Sequence, residues 1–150
     1  VGELYSTSPY LFNGYWNEPE QTEVTFRGEW FTAGDMAIRD DEGYIYIVDR
    51  RKDMVISGGI NIYPREIEEV LFRHDEIVEA AVVGVPDAQW GEALKGFIVC
   101  RAGHAQTSDQ LQTFMRDYLA AYKVPRPIEF VEELPKNVSG KVLKRTLKEL

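Results

Sequence analysis

Lys141 lies in a short polar stretch in which a glycine gives the chain freedom to reach a ligand. The stretch reads Ser139-Gly140-Lys141 and comes directly before a basic segment at the end of the chain. A lysine on such a loop can carry a positive charge to a phosphate or carboxylate oxygen and stabilise charge that moves during group transfer. A solvated lysine beside the start of a helix is the more common meaning of this spacing.

Two further short segments have residue types that suit ligand binding. Gly34-Asp35 ends an aromatic segment, where the Asp35 carboxylate could accept hydrogen bonds from two hydroxyl groups such as those of a ribose. Ser57-Gly58-Gly59 could let a ligand pass close to bare backbone. An ordinary turn explains the first pattern equally well, and a hairpin explains the second. Each signal is weak when it is taken alone.

Metal and nucleophile chemistry have little support in the sequence. His74 and His104, the two histidines, are far apart, and one cysteine does not make a zinc site. Cys100 lies inside an apolar run, where a cysteine usually serves as a small core residue. We therefore predict no metal site in this chain and no hydrolase or metalloenzyme function.

The composition is typical of a compact folded protein. The chain has 150 residues, of which 44% are hydrophobic and 28% charged, which suits one small domain with part of another. The net charge of -8 argues against nucleic acid as a partner, because binding to the phosphate backbone needs basic surface. The single cysteine, with neither a transmembrane segment nor a signal peptide in the sequence, favours the cytoplasm.

The elements that position these residues change character at Asp49-Arg50-Arg51-Lys52-Asp53. Residues 1–50 are rich in aromatics and turn formers and predict β structure, whereas residues 51–150 predict a mixed α+β domain. The β-rich part would be marginally stable alone, so we expect it to pack on something outside this chain. Because the chain starts without Met inside a predicted strand, we also expect it to be a fragment.

The predicted elements follow from hydrophobic period, turn residues and caps. In the first part they are a strand over 2–8, a weakly helical connection over 19–26 and a hairpin over 30–39 and 44–49. In the second part they are a hairpin over 54–57 and 60–63, a helix over 64–74, strands over 77–85 and 94–100, a helix capped by Thr107 and Gln110, a strand over 128–131 and a helix over 143–150. We expect a central three-stranded sheet flanked by helices, plus a short β-hairpin.

The order of the segments is more specific than any one of them. They are G-E-L at 2–4, G-Y-W-N-E-P-E at 14–20, W-F-T-A-G-D at 30–35, D-R-R-K-D at 49–53, S-G-G-I-N-I-Y-P at 57–64 with E-I-E at 66–68, and P-K-N-V-S-G-K at 135–141. This series resembles the carboxyl-terminal part of the AMP-forming acyl-CoA synthetases, which belong to the adenylate-forming superfamily. Residues 54–64 look most similar to the fatty-acid and medium-chain branch.

The resemblance implies part of an enzyme that uses ATP, with Mg²⁺, and CoA. Members of the family convert a carboxylic acid and ATP to acyl-adenylate and pyrophosphate, then pass the acyl group to CoA. By resemblance, Lys141 is the catalytic lysine that bridges the substrate carboxylate and the α-phosphate. Asp35 would bind the ribose hydroxyls, and Arg50 would support the ribose and phosphate. Lys52 matches the hinge about which the small domain rotates between the two half-reactions.

The resemblance also implies a CoA site in the small domain. Gly58 and Gly59 would flank the pantetheine arm, and Trp90 and Tyr122 would line the site. Arg126 would lie near the CoA phosphates.

The resemblance assigns residues 1–50 to the last β portion of a large amino-terminal domain, 49–53 to the hinge and 51–150 to a carboxyl-terminal lid domain. The phosphate loop, adenine pocket, acyl tunnel and magnesium-binding glutamate of the family belong to the large domain. We therefore expect the missing amino-terminal domain to be the main partner and this chain to be inactive alone.

Other functions stay open at this point. One is a stand-alone module that docks CoA or a carrier protein, and another is a fatty acyl-AMP ligase or peptide synthetase with a carrier-protein acceptor. A luciferase-like oxidase is more remote. The expected location is the cytoplasm, with peripheral attachment to a membrane as an alternative.

Overall fold

The computed structural model describes residues 1–103 and 106–150. His104, one of the two histidines considered as metal ligands, lies outside these described residues. The chain divides into two compact units, Val1–Lys52 and Asp53–Leu150, called here the first and second units. In the described ranges, no helix combines the length and apolar character that a membrane crossing requires.

The first unit holds short strands and one short helix. Its elements are β1 (Gly2–Glu3), α1 (Pro19–Thr25), β2 (Phe26–Arg27), β3 (Trp30–Phe31), β4 (Asp35–Arg39) and β5 (Ile45–Arg50). Strands β1, β4 and β5 form an antiparallel sheet in that order, and β2 pairs with β3. The predicted helical connection is confirmed as α1. The predicted hairpin is confirmed as β4 and β5, which the turn ending at Gly43 joins.

Two strand predictions for the first unit were too long. The segment 30–39 is two strands, because Gly34 has a φ of 76° and turns the chain between them. The segment 2–8 is a strand only at Gly2–Glu3, followed by an isolated bridge between Ser6 and Phe31.

The second unit is a mixed α+β domain, as predicted. Its elements are β6 (Val55–Ser57), β7 (Ile60–Ile62), α2 (Pro64–Leu71), β8 (Ile77–Asp87), β9 (Gly91–Cys100), α3 (Ser108–Arg116), β10 (Ile128–Phe130) and α4 (Lys144–Lys148), with 3-10 turns at Arg51–Asp53, where the two units meet in sequence, and Ala121–Lys123.

The predicted three-stranded sheet is present as β8, β9 and β10. Strand β9 pairs antiparallel with β8 and parallel with β10. The predicted hairpin, β6 and β7, also joins this sheet through one pairing between Ser57 and Gly91, so that the sheet has five strands. The hairpin is therefore an extension of the central sheet and not a separate element.

The helices of the second unit begin where the local signals place them. Pro64 starts α2, because its fixed φ suits the first helical position and the missing N–H is not needed there. The predicted capping box starts α3: Thr107 Oγ1 accepts the N–H of Gln110, whose side chain accepts the N–H of Thr107. Helix α3 ends at Arg116, and Tyr118, which follows it, is exposed.

Both faces of the central sheet are buried, which decides where the end of the chain lies. On β8, Ala80 and Val82 join the core cluster that α2 and α3 cover, and Ala81 and Val83 join a second cluster on the opposite face. The second cluster includes Leu134, Leu147 and Phe97. Because Leu134 and Leu147 come before and after Lys141, their burial fixes both ends of the segment that carries the lysine.

Candidate active-site elements

Asp35 and Arg50 lie opposite each other at the ends of β4 and β5. The strand register pairs the two residues, and Arg50 Nε lies 3.2 Å from Asp35 Oδ1. Both side chains are partly exposed, at 27% for Asp35 and 45% for Arg50. In the described part of the chain, no further hydrogen bond reaches Asp35 Oδ2, which leaves that oxygen able to accept one from a hydroxyl group.

A polar network around the buried Thr32 supports the turn that leads into Asp35. The N–H of Gly34 donates to Thr32 Oγ1 at 2.9 Å, and Thr32 Oγ1 donates to Glu3 Oε1 at 3.1 Å. The other Glu3 oxygen accepts a charged hydrogen bond from Arg51 Nη1 at 3.2 Å. Thr32 is 5% exposed, so these bonds supply partners that its hydroxyl cannot obtain from water. The network holds the Gly34 turn and thereby the position of Asp35.

A cavity of ≈ 530 Å³ lies beside this pair in the first unit. Arg50 and Lys52 both line it, together with Gly34 and the network residues Thr32 and Arg51. Two sequence-predicted residues thus share one cavity, with Asp35 next to it through its ion pair with Arg50. The basic side chains around this cavity suit an anionic ligand such as a nucleotide.

Lys141 lies in a loop between β10 and α4 that Asn137 organises. The Oδ1 atom of Asn137 accepts three hydrogen bonds: from the N–H of Ser139 at 3.1 Å, from its Oγ at 2.8 Å and from the N–H of Lys141 at 2.9 Å. The N–H of Asn137 donates in turn to the Lys141 carbonyl at 2.9 Å. Gly140, with a φ of 81°, makes the tight turn between them.

The lysines that flank this loop have acidic partners, whereas none of the described residues forms an ion pair with Lys141. Lys136 Nζ lies 2.6 Å from Glu79 Oε2, and Lys144 Nζ lies 2.7 Å from Glu68 Oε1. Across the residues that the structure describes, the exposed Lys141 ammonium forms no ion pair. The loop therefore presents one uncompensated positive charge on an ordered backbone, which can bind an anionic oxygen.

A groove of ≈ 620 Å³ lies in the second unit, and four residues predicted to bind CoA line it. These four are Gly58, Trp90, Tyr122 and Arg126. Its walls are otherwise mostly apolar, and both aromatic rings are 53% exposed. The Arg126 side chain is exposed and forms no ion pair in the described part of the chain. An apolar groove with aromatic faces and one free guanidinium suits a long ligand that carries a phosphate.

Gly58 and Trp90 are fitted to each other within the groove. A Cβ atom at Gly58 would lie 2.8 Å from Cε3 of Trp90, and the φ of 57° at Gly58 is itself unfavourable for other residues. The Gly58 N–H donates to the Trp90 carbonyl at 2.9 Å, and Asp87 Oδ1 accepts the Trp90 N–H at 2.8 Å. Gly59 does not line the groove, and open space surrounds the position of its Cβ.

Residues 66–141, about half of the chain, match the family described as AMP-binding enzyme C-terminal domain. The chain belongs to this family. The resemblance read from the ordered segments is thereby confirmed.

Individual relatives of this C-terminal domain extend the match to the whole chain. This chain is 48% identical over 148 residues to a long-chain-fatty-acid--CoA ligase of Bacillus subtilis. The match covers 99% of this chain and 26% of the relative. The chain is 44% identical over 150 residues to a 2-succinylbenzoate--CoA ligase of Geobacillus kaustophilus, covering 100% of this chain and 31% of the relative. The chain thus spans between about a quarter and a third of the length of these relatives.

Solved structures agree with the sequence relatives. The o-succinylbenzoate CoA synthetase of Bacillus subtilis, in complex with the acyl-adenylate intermediate OSB-AMP, superimposes with a TM-score of 0.91 at 36% identity. That match covers 98% of this chain and 30% of the synthetase. The predicted α+β fold is therefore confirmed for this C-terminal domain and the strands before it.

Within the first unit, the structure brings Asp35, Arg50 and Lys52 together around one cavity. Within the second unit it brings Gly58, Trp90, Tyr122 and Arg126 together in the groove, which Lys141 does not line. Among residues 1–103 and 106–150, no group of three or more His, Cys, Asp or Glu side chains could hold a metal ion. Cys100 packs against the core cluster that α2 and α3 cover.

Several residues that order these sites carried no assigned role in the sequence. Glu3 and Asn137 belong to the recognised segments at 2–4 and 135–141, so their place in the pattern was a usable signal. Glu68, in the recognised segment at 66–68, accepts hydrogen bonds from both Lys144 Nζ and the Val82 N–H, the latter at 2.8 Å. Such roles depend on partners far away in the sequence.

Proposed function

We propose that this chain is the carboxyl-terminal segment of an ATP-dependent acyl-CoA ligase. In this proposal residues 1–50 are the last β portion of the large amino-terminal domain, 49–53 are the hinge and 51–150 are the lid domain. The observation that supports it best is the 48% identity over 99% of the chain to a long-chain-fatty-acid--CoA ligase. The 36% identity to a synthetase solved with its acyl-adenylate supports the same reaction class.

In the first half-reaction, Lys141 places its ammonium between two groups that repel each other. A carboxylate oxygen of the acid forms a bond to the α-phosphorus of ATP, and the bond to the departing pyrophosphate breaks. Both reactants are anionic, so one fixed cation stabilises the charge that shifts between them. Asp35 accepts hydrogen bonds from the ribose hydroxyls, and Arg50 supports the ribose and phosphate. We assign the Mg²⁺ that accompanies ATP to the part of the enzyme outside this chain.

In the second half-reaction, the groove of the second unit holds CoA. The thiol attacks the acyl carbonyl, a thioester forms and AMP leaves. Gly58 lets the pantetheine arm pass close to the backbone, Trp90 and Tyr122 contact its apolar parts, and Arg126 binds a phosphate. Lys52 is the proposed pivot between the two half-reactions.

The substrate is a carboxylic acid, and we favour a fatty acid. This preference rests on the long-chain-fatty-acid--CoA ligases among the relatives, such as that of Salmonella typhimurium at 45% identity. Relatives also include a feruloyl-CoA synthase of Amycolatopsis at 46% identity. We place the enzyme in the cytoplasm, with peripheral attachment to a membrane as the alternative.

A second candidate changes only the group that accepts the acyl chain. The amide bond synthetase of Marinactinospora thermotolerans superimposes with a TM-score of 0.89 at 36% identity. An amine acceptor, or the thiol of a carrier protein, therefore competes with CoA for the second half-reaction. The Arg126 guanidinium in the groove, which forms no ion pair within the described residues, favours a phosphate-bearing acceptor, CoA or the phosphopantetheine of a carrier protein, over an amine.

The test is carboxylate-dependent exchange between pyrophosphate and ATP. It should be run on this 150-residue chain and on the full-length protein that contains it, with fatty acids of several lengths, succinylbenzoate and ferulate. Exchange by the full-length protein alone is the expected result, and the acid that gives it names the substrate class. Addition of CoA, an amine or a carrier protein then identifies the acceptor from the product.

Two outcomes would contradict this proposal. Exchange by the short chain would mean that it holds a complete nucleotide site. Absence of exchange in the full-length protein with every acid, while the groove still bound CoA, would favour the docking-module alternative.

A further inference from the structure

Asn137 makes hydrogen bonds to both backbone groups of Lys141. Its side-chain Oδ1 accepts the Lys141 N–H, and its main-chain N–H donates to the Lys141 carbonyl, each at 2.9 Å. The Lys141 side chain, in contrast, has no ion pair within the described chain. The backbone at Lys141 therefore decides from which point and in which direction this long side chain extends.

We propose that Asn137 is a positioning residue for the adenylation step, acting through Lys141. This inference rests on the proposed function of Lys141 as the adenylation lysine. The Oδ1 atom also binds the N–H and Oγ of Ser139, so one side-chain oxygen orders the whole tip of the loop. Group transfer is sensitive to such ordering, because a displacement of about 1 Å can reduce a rate about 100-fold.

The ends of the loop are held by contacts that do not involve the Asn137 side chain. Leu134 and Leu147 are 3% and 1% exposed, and the backbone of Lys136 pairs with that of Val142 in an isolated antiparallel β-bridge. The ion pair between Lys144 and Glu68 fixes the start of α4. Loss of the Asn137 side chain should therefore loosen residues 138–141 and leave the fold intact.

The first experiment measures amide hydrogen exchange at Lys141 in this chain by NMR. Asn137→Ala should raise the exchange rate about three- to tenfold, the range that one net hydrogen bond provides. Asn137→Asp should stay within about twofold of the original rate, because a carboxylate oxygen can accept the same N–H. Val138→Ala is the control, since Val138 is fully exposed in the same loop. An unchanged rate in Asn137→Ala would overturn the inference.

The second experiment measures the two half-reactions separately in the full-length protein. Asn137→Ala should lower kcat for adenylation about 10- to 100-fold, with KM for ATP within about threefold. Thioester formation from preformed acyl-adenylate should stay within about twofold, and Asn137→Asp should recover most of the lost adenylation. Val138→Ala should match the original protein in both steps.

The outcomes separate this inference from the proposed function. Full adenylation by Asn137→Ala, or equal loss of both half-reactions, would overturn the positioning role while leaving the ligase proposal standing. Absence of adenylation in the unaltered full-length protein would overturn the proposed function and, with it, the positioning role of Asn137 in adenylation. The amide exchange rate would still decide whether Asn137 anchors the loop.

Discussion

Substitution of Gly58 by alanine gives the sharpest structural test of the groove, because Gly59 supplies a matched control. Both glycines have positive φ, 57° and 80°, so alanine at either position meets the same kind of backbone strain of about 1–2 kcal/mol. They differ in their surroundings. A Cβ at Gly58 would lie 2.8 Å from the Trp90 ring, whereas a Cβ at Gly59 meets nothing within 4 Å.

The added cost at Gly58 depends on how the Trp90 ring moves. Overpacking typically costs about 1–3 kcal/mol, and a half-exposed ring can swing aside, which points to the lower end of that range. We therefore expect Gly58→Ala to destabilise the chain by about 1 kcal/mol more than Gly59→Ala. The difference corresponds to about 4–8 °C in the Tm of the second unit, Asp53–Leu150, which contains both glycines.

The functional effect of Gly58→Ala should be limited to the half-reaction that uses CoA. In the full-length protein, Gly58→Ala should raise KM for CoA or lower the thioester rate, while adenylation stays unchanged. Gly59→Ala should lose stability without this selective loss. A Trp90→Ala background provides the internal check, since without the ring Gly58→Ala and Gly59→Ala should cost the same. Equal effects of the two alanines in the presence of Trp90 would refute the reasoning.

Three further predictions concern the lysine, the hinge and a helix cap. Lys141→Ala should lower the rate of adenylation about 10²- to 10³-fold in the full-length protein and spare the thioester step. Lys136→Ala, which only breaks a surface ion pair, is the control and should change neither step. Equal loss of both steps in Lys141→Ala would contradict the role of Lys141. Lys52→Pro should impair one half-reaction more than the other, because proline fixes φ at the proposed pivot, and equal rates in both assays would exclude the hinge role. Thr107→Ala should destabilise the chain by about 1 kcal/mol in thermal unfolding through loss of the capping box, and an unchanged Tm would show that the cap contributes nothing.

The elements that could be predicted are those whose signals are local. The capping box of α3 and the hairpin at Gly58 and Gly59 each depend on a few adjacent residues, so the sequence determines them directly. The attachment of that hairpin to β9 depends on one pairing between Ser57 and Gly91, which are distant in sequence. No periodicity or turn residue signals such a contact. The single long strand predicted over 30–39 was wrong for a different reason, since the positive φ of Gly34 turns the chain in its middle.

The candidate site, like the fold, could be predicted only where the signal is local in sequence. The ordered segments identified which residues to consider, and the strand register then set Asp35 beside Arg50. The network from Gly34 through Thr32 to Glu3 was not predictable, because the choice of side-chain partner depends on which buried groups lack water.

The Lys141 ammonium, which forms no ion pair within the described residues, differs from most lysines of the second unit. Acids outnumber basic residues in the chain, 25 to 17, and carboxylates pair with Lys95, Lys123, Lys136 and Lys144. Lys148 in α4 also forms no ion pair among the described residues, so the absence of an acidic partner does not by itself distinguish Lys141. Lys141 differs in that the Asn137 hydrogen bonds hold its backbone in place. In the proposed adenylation step, a charge already neutralised by a glutamate would have to break that pair before it could stabilise a phosphate, so an ordered lysine without an acidic partner suits transfer between two anions.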